Sequence, residues 1–142
     1  MGKVINLFEH VNREKTVDIP GQGKFNFDIV GESNYQDTLD RLVEQKKHHD
    51  EPLVYKASLL YESDNPYDKN AVKVEIDQMI VGYLNRENAK YYRSQMTELG
   101  YEGYVVRCDA KIVGGWRNDR GQQAHYGVRL DMPTMGLNPK SQ

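Results

Sequence analysis

The feature that most constrains this 142-residue chain is a succession of short runs in which apolar and polar residues alternate with a period of two. Each run is bounded by turn-forming residues. Phe25, Phe27 and Ile29 alternate with Asn26 and Asp28. Leu53, Tyr55, Ala57, Leu59 and Tyr61 share one face of a second run, and Val72, Val74 and Ile76 of a third. Asp77-Gln78 predicts a tight turn into a return strand over 79–84. Val106, Cys108, Ala110 and Ile112 mark a long strand, and Tyr126, Val128 and Leu130 the last. A period of two places alternate side chains on opposite faces of a sheet, so these runs are half-buried strands.

Two stretches break that period. Leu39, Leu42 and Val43 form an apolar stripe over 36–47, and Ala89, Tyr92, Met96 and Leu99 repeat at helical spacing. Asn85 suits the second helix as its N-cap, Glu87 suits the positive end of its dipole, and Gly100 suits its end. About six short strands with two helices predict a mainly β domain, an OB-like, partly open β-barrel. Periodicity alone fits another α+β sheet equally well. Residues 1–24 lack periodicity, with Pro20-Gly21-Gln22-Gly23 reading as a loop. They are expected to form a poorly defined N-terminal arm, residues 25–132 the domain, and 133–142 a flexible tail.

Charge and cysteine content narrow the function. The net charge is −2, which argues against nonspecific coating of DNA. Residues 1–78 carry ten basic and fifteen acidic side chains, and residues 79–142 nine and six, so a local basic face is compatible with an acidic whole. Cys108 is the one cysteine, which excludes an internal disulfide and any multi-cysteine zinc site. No apolar run approaches membrane-spanning length and no secretory signal is evident, so a cytoplasmic protein without membrane contact is expected.

Three segments carry a family resemblance. They are Ile29-Val30-Gly31-Glu32-Ser33-Asn34-Tyr35-Gln36, then Asn65-Pro66-Tyr67-Asp68-Lys69-Asn70-Ala71-Val72-Lys73-Val74, and then Val81-Gly82-Tyr83-Leu84. In order and spacing they resemble the HIRAN family. A fourth piece, Ile112-Val113-Gly114-Gly115-Trp116 followed by Tyr126-Gly127-Val128-Arg129-Leu130, is similar to its free-standing or bacterial branch. The likeness runs from about Phe25 to Met132. It implies an OB-like barrel. In the branch fused to fork-remodelling ATPases, it also implies capture of single-stranded DNA at a free 3′-hydroxyl. This chain has no G-x-x-x-x-G-K-[ST] phosphate loop and hence no such motor.

The residues themselves suit that chemistry. Asn65-Pro66 initiates a turn that displays Tyr67 and Asp68. A tyrosine ring stacks on an unpaired base, and a carboxylate repels phosphate but accepts from a sugar hydroxyl, a pairing suited to a strand terminus. By resemblance, Tyr67 is the stacking tyrosine, Asp68 the 3′-hydroxyl acceptor and Asn65 a polar contact beside them. Arg86 matches a phosphate-contacting position at a helix start, where free N–H groups also favour anions. Tyr83 matches a groove-lining position and Tyr126 an aromatic platform. Trp116, after two glycines, is a further stacking candidate. The plainer alternatives are that Asp68 and Asn70 only cap the turn, that Arg86 is solvated, and that the aromatic rings fill the ends of the barrel. The 3′-end-binding branch has a basic-aromatic pair where Ser33 and Asn34 stand here, with Tyr35 one residue along. One phosphate contact fewer flattens the salt dependence by about 0.7 on single strands.

Other chemistries are weaker. His48-His49-Asp50 reads as a polar loop rather than a metal site, because adjacent histidines rarely point at one ion. Asp109-Ala110-Lys111 with Glu75 and Asp77 faintly resembles a metal-dependent nuclease. Cys108, in phase with Val106 and Ala110, reads as a small buried hydrophobe. The expected function is a nucleic-acid-binding module without cofactor, metal or catalysis, taking a single-stranded DNA end in repair, replication or processing of damaged DNA. The alternatives are a protein-interaction adaptor that recruits a helicase or nuclease, and the metal-dependent nuclease.

Overall fold

A computed structural model of the chain describes residues 15–47 and 53–133. Strands β1 (Thr16–Asp18), β2 (Phe27–Asp28), β3 (Val54–Tyr61), β4 (Val72–Ile76), β5 (Met79–Tyr83), β6 (Val105–Gly114) and β7 (Tyr126–Leu130) form one seven-stranded sheet. Helix α1 (Gln36–Lys47) follows a 3-10 turn at Glu32–Asn34, and helix α2 (Arg86–Glu98) separates β5 from β6. The strand order is β2-β7-β6-β3-β4-β5, with β1 parallel to the first residues of β6.

Two residues beyond β2, Val30 exchanges backbone hydrogen bonds with Tyr83 at the opposite edge: Val30 N–H to Tyr83 O at 2.8 Å, and Tyr83 N–H to Val30 O at 2.9 Å. Residues 27–30 therefore touch both ends of the sheet and curl it into a partly open barrel, consistent with the OB-like expectation. Gly82 makes this approach possible, because a Cβ there would lie 2.7 Å from Val30 O.

Alternation decides what faces inward. Tyr55, Ala57 and Leu59 of β3, Val72, Val74 and Ile76 of β4, and Val106, Cys108, Ala110 and Ile112 of β6 are all buried in one core. Leu39 and Leu42 bring α1 onto it, and Ala89, Tyr92 and Met96 bring α2. The β4–β5 turn is as tight as its length demands. Asp77 and Gln78 both adopt left-handed conformations, with φ of 52° and 63°, the geometry whose twist matches a hairpin. The Asn85 side chain accepts from Asn88 N–H at 2.8 Å, capping α2, and Gly100 takes φ 84° after its end.

The first run is shorter than its alternation suggests. Phe25 lies at φ 47°, outside strand geometry, and the ladder begins only at Phe27. Within the segment read as an arm, Thr16–Asp18 pairs with Val105–Arg107 of β6, and Val17 and Ile19 pack against the core. A three-residue strand is too short to display a period. Residues 1–14, the histidine pair at 48–49 with Asp50, and residues 134–142 lie outside the described residues. Among the described residues, no helix is long and apolar enough to cross a membrane.

Candidate nucleic-acid interface

The Asn65–Asp68 turn is held by side chains from three directions. Asn65 Oδ1 accepts from the backbone N–H of Tyr67 at 2.8 Å and of Asp68 at 3.1 Å. This closes the turn as its Asn-Pro sequence leads one to expect. Asn65 Nδ2 donates to Glu62 Oε1 at 2.8 Å, and Tyr83 Oη donates to the same oxygen at 2.8 Å. From the other side Arg86, the first residue of α2, donates from Nη2 to the Tyr67 carbonyl. Asp68 Oδ1 accepts from Asn70 N–H at 2.9 Å. So fixed, the turn leaves Tyr67 with 81% of its surface in solvent, an unusual exposure for a large ring on an ordered loop.

The plainer alternative holds at Asp68 and not at Tyr67. Asp68 does cap the turn, through Oδ1. Tyr67, by contrast, fills no barrel end. Arg86 is exposed and uses one donor on the Tyr67 carbonyl; a guanidinium carries five.

Tyr83 lies half-buried between this loop and the 3-10 turn. Burial, together with the Glu62 carboxylate that its hydroxyl faces, pushes its ionisation well above the ordinary tyrosine range. Tyr35 is close enough to contribute to that shift. Ser33 and Asn34 are exposed, while Tyr35 is half-buried. Beyond them Glu32 Oε2 accepts from Val128 N–H at 3.1 Å, which joins the 3-10 turn to β7.

Tyr126 follows on β7. Gln36 brackets its backbone, accepting from Tyr126 N–H at 2.8 Å and donating to Tyr126 O at 3.0 Å. Its hydroxyl donates to Asp40 Oδ1 at 2.8 Å. Partial burial and the Asp40 carboxylate push the Tyr126 hydroxyl up to about 12. Its ring lies against Gly115, where a Cβ would fall 2.1 Å from Tyr126 Cε1. Trp116, next in sequence, is 64% exposed and does not pack over the barrel end.

Contacts thus link the candidate residues in series: the Asn65–Asp68 turn, Tyr83, the 31–35 segment, then Tyr126 with Trp116 beyond. Three supporting residues, Glu62, Gln36 and Asp40, are not among the site residues that the sequence suggests. Their partners are remote, Tyr83 being 21 residues from Glu62 and Tyr126 86 residues from Asp40. The one available signal was the i, i+4 spacing of Gln36 and Asp40, which puts both on one helix face.

Of the basic residues that follow Arg86, Arg93, Lys111 and Arg129 are engaged elsewhere. Arg93 lies over the Tyr61 ring at 4.1 Å and donates to Ala71 O at 2.7 Å. Arg129 pairs with Asp28 at 3.5 Å, and Lys111 sits 4.5 Å above the Phe25 ring. For the nuclease alternative, Asp109 is engaged by Lys56 at 2.8 Å. Among the described residues, no group of three or more His, Cys, Asp or Glu side chains is placed to hold a metal ion.

A small curled barrel with an exposed aromatic ring is an architecture that single-strand-binding modules, among others, use. A family model for the HIRAN domain matches residues 22–125, nearly three-quarters of the chain, and the protein belongs to that family. The HIRAN domain is a DNA-binding module associated with single strands and 3′ ends, and is not itself catalytic. No curated protein and no solved structure matches the chain.

Proposed function

We propose that this protein binds single-stranded DNA and holds a strand end at the Asn65–Asp68 turn, in the repair or processing of damaged or replicating DNA. One observation carries the reading: Tyr67 is 81% exposed on a turn that Asn65, Glu62 and Arg86 hold rigid. A turn whose backbone is already fixed loses less entropy when its ring stacks. Asp68 keeps Oδ2 for a terminal hydroxyl while Oδ1 stays on Asn70 N–H. The Arg86 guanidinium supplies the positive charge for the adjoining phosphate. Tyr83 lines the path of the strand and Tyr126 offers the next platform. Ser33, Asn34 and Tyr35 provide polar contacts where relatives of the 3′-end-binding branch place a charge and a ring. With so few phosphate contacts, affinity is on the order of micromolar and the salt dependence shallow.

The test is fluorescence anisotropy of a short labelled strand bearing either a 3′-hydroxyl or a 3′-phosphate, at low and moderate salt, with wild-type protein and the Tyr67→Ala variant. Binding that requires the hydroxyl and is lost in the variant supports end capture at Asp68. Equal binding of both strands, still lost in the variant, leaves a general groove binder. No binding at low salt refutes the proposal and favours an adaptor for a helicase or nuclease.

A further inference from the structure

Beyond Tyr126 the chain builds a feature that the strand-end reading leaves unused. Gly114 and Gly115 both adopt left-handed conformations, with φ of 82° and 75°. They turn the chain out of β6 into a small hairpin over 116–124. Ala124 N–H donates to Trp116 O at 2.9 Å and Asn118 N–H to Gln122 O at 2.9 Å. At its tip, Asn118 Oδ1 accepts from Arg120 N–H at 2.9 Å and Gln122 N–H at 3.0 Å. The tip is ordered by its own polar groups, yet it displays Trp116 with 64% of its surface in solvent. An open cleft of about 290 Å³ separates the hairpin from the start of α1, with Arg117, His125, Gln36 and Tyr126 among its lining.

We infer that this hairpin is a second contact for nucleic acid, in which Trp116 stacks a base several nucleotides upstream of the bound end and Arg117 meets the phosphate beside it. The inference rests on the strand-end reading and deepens it by setting the length of strand the protein engages. Three features converge. The cleft opens directly on Tyr126, the last aromatic residue on the path from Tyr67. Arg117 lines the cleft and the exposed Trp116 ring precedes it in the hairpin, and rings with guanidinium groups are what sequence-tolerant single-strand binding uses. The cleft wall also carries Asp37, an acceptor that suits the amino edge of a base rather than a phosphate. The occupant is thus a splayed-out base, with its backbone on the Arg117 side.

Trp116 is the chain's one tryptophan, so its fluorescence reports on this hairpin alone. Unlabelled single strands with a 3′-hydroxyl, a trinucleotide and one of about ten nucleotides, are titrated while Trp116 emission is followed under selective excitation. In parallel, anisotropy is read for wild type, Trp116→Ala, Arg117→Ala and Tyr67→Ala. The expected result is quenching by the long strand but not by the trinucleotide. Trp116→Ala and Arg117→Ala then weaken the long strand about five- to twentyfold and leave the trinucleotide unchanged. If the long strand binds without changing Trp116 emission and with equal affinity to Trp116→Ala, while Tyr67→Ala abolishes binding, the hairpin inference fails and the strand-end reading stands. If wild type binds neither strand, both fall together.

Discussion

Replacing Asn65 tests whether the exposed tyrosine is held or merely happens to be exposed. Asn65→Ala removes one acceptor serving two backbone N–H groups and one donor to Glu62. Tyr67 N–H is exposed and rebonds to water at little cost, whereas Asp68 N–H and the Glu62 contact are partly buried. At roughly 1 kcal/mol net for each partly buried bond, the loss comes to about 1–2 kcal/mol. With a urea slope of about 2 kcal/mol per molar, the midpoint falls by about 0.5–1 M. Binding suffers separately. If one or two turn residues must be reordered around the DNA, at about 1 kcal/mol each, affinity for a 3′-hydroxyl strand drops about five- to thirtyfold. Asn65→Asp sharpens the test, because it keeps the acceptor but sets a second carboxylate against Glu62, where Asn65 Nδ2 now lies at 2.8 Å. Two such charges about 4 Å apart repel by about 4 kcal/mol at an effective dielectric of 20. Rotation and water leave about 1–2 kcal/mol of this at a half-buried site. At neutral pH this variant is therefore no more stable than Asn65→Ala, and it recovers at about pH 4–5 as the introduced carboxylate takes up a proton. Urea melts at both pH values and anisotropy decide the matter. Wild-type stability and affinity in Asn65→Ala, or a neutral-pH Asn65→Asp as stable as wild type, would refute the claim that this network holds the turn.

Three further outcomes follow from the structure. Cys108 is fully buried, and burial, followed by the nearby Asp109 carboxylate, pushes its thiol up to about 12; native protein should resist a thiol reagent at pH 8 and react only once unfolded, so rapid native labelling would contradict the inward phase of β6. Tyr126 ionises at 10.0 when unperturbed and at about 12 in the fold, so the folded state binds its proton more tightly; its contribution is complete below pH 10 and lost as pH rises through 12, and thermal midpoints should fall less steeply across that window in Tyr126→Phe than in wild type. Gly115→Ala forces a Cβ to 2.1 Å from the Tyr126 ring at a φ of 75°; a loss of about 1–3 kcal/mol in a thermal or urea melt is expected, and an unchanged melt would mean that the ring does not rest there.

Most of the barrel was legible because its determinants are local. The period of two marks β3, β4, β6 and β7, and the polar pair Asp77-Gln78 marks the hairpin. Asn85, Glu87 and Gly100 mark the ends of α2 within a residue or two. Strand β1 was not legible, since its pairing with Val105–Arg107 is a parallel, long-range contact that three residues cannot announce. Phe25 was misleading for the opposite reason: it keeps the alternation but leaves the strand through a positive φ, a backbone choice that periodicity does not record. Closure through Val30 and Tyr83 was equally hidden, because one bridge leaves no pattern.

The site divides along the same line, and the division bears on what each residue does. The sequence poses capping and binding as rivals at Asn65 and Asp68, and on the proposed reading the two are successive. Asn65 spends Oδ1 on two backbone N–H groups and Nδ2 on Glu62, so on the proposed reading it positions the turn rather than touching DNA. Asp68 puts Oδ1 on Asn70 N–H, and on the same reading Oδ2 serves the terminal hydroxyl. Tyr67 alone is displayed without restraint on its ring. Glu62, which no motif marks, supports the turn through Asn65, whose amide shares its Oε1 with the Tyr83 hydroxyl. Loss of Glu62 should therefore weaken a strand-end site without removing any group that contacts the strand. A binding defect in Glu62→Gln smaller than that of Tyr67→Ala, with a shared preference for the 3′-hydroxyl, is the pattern this ordering requires.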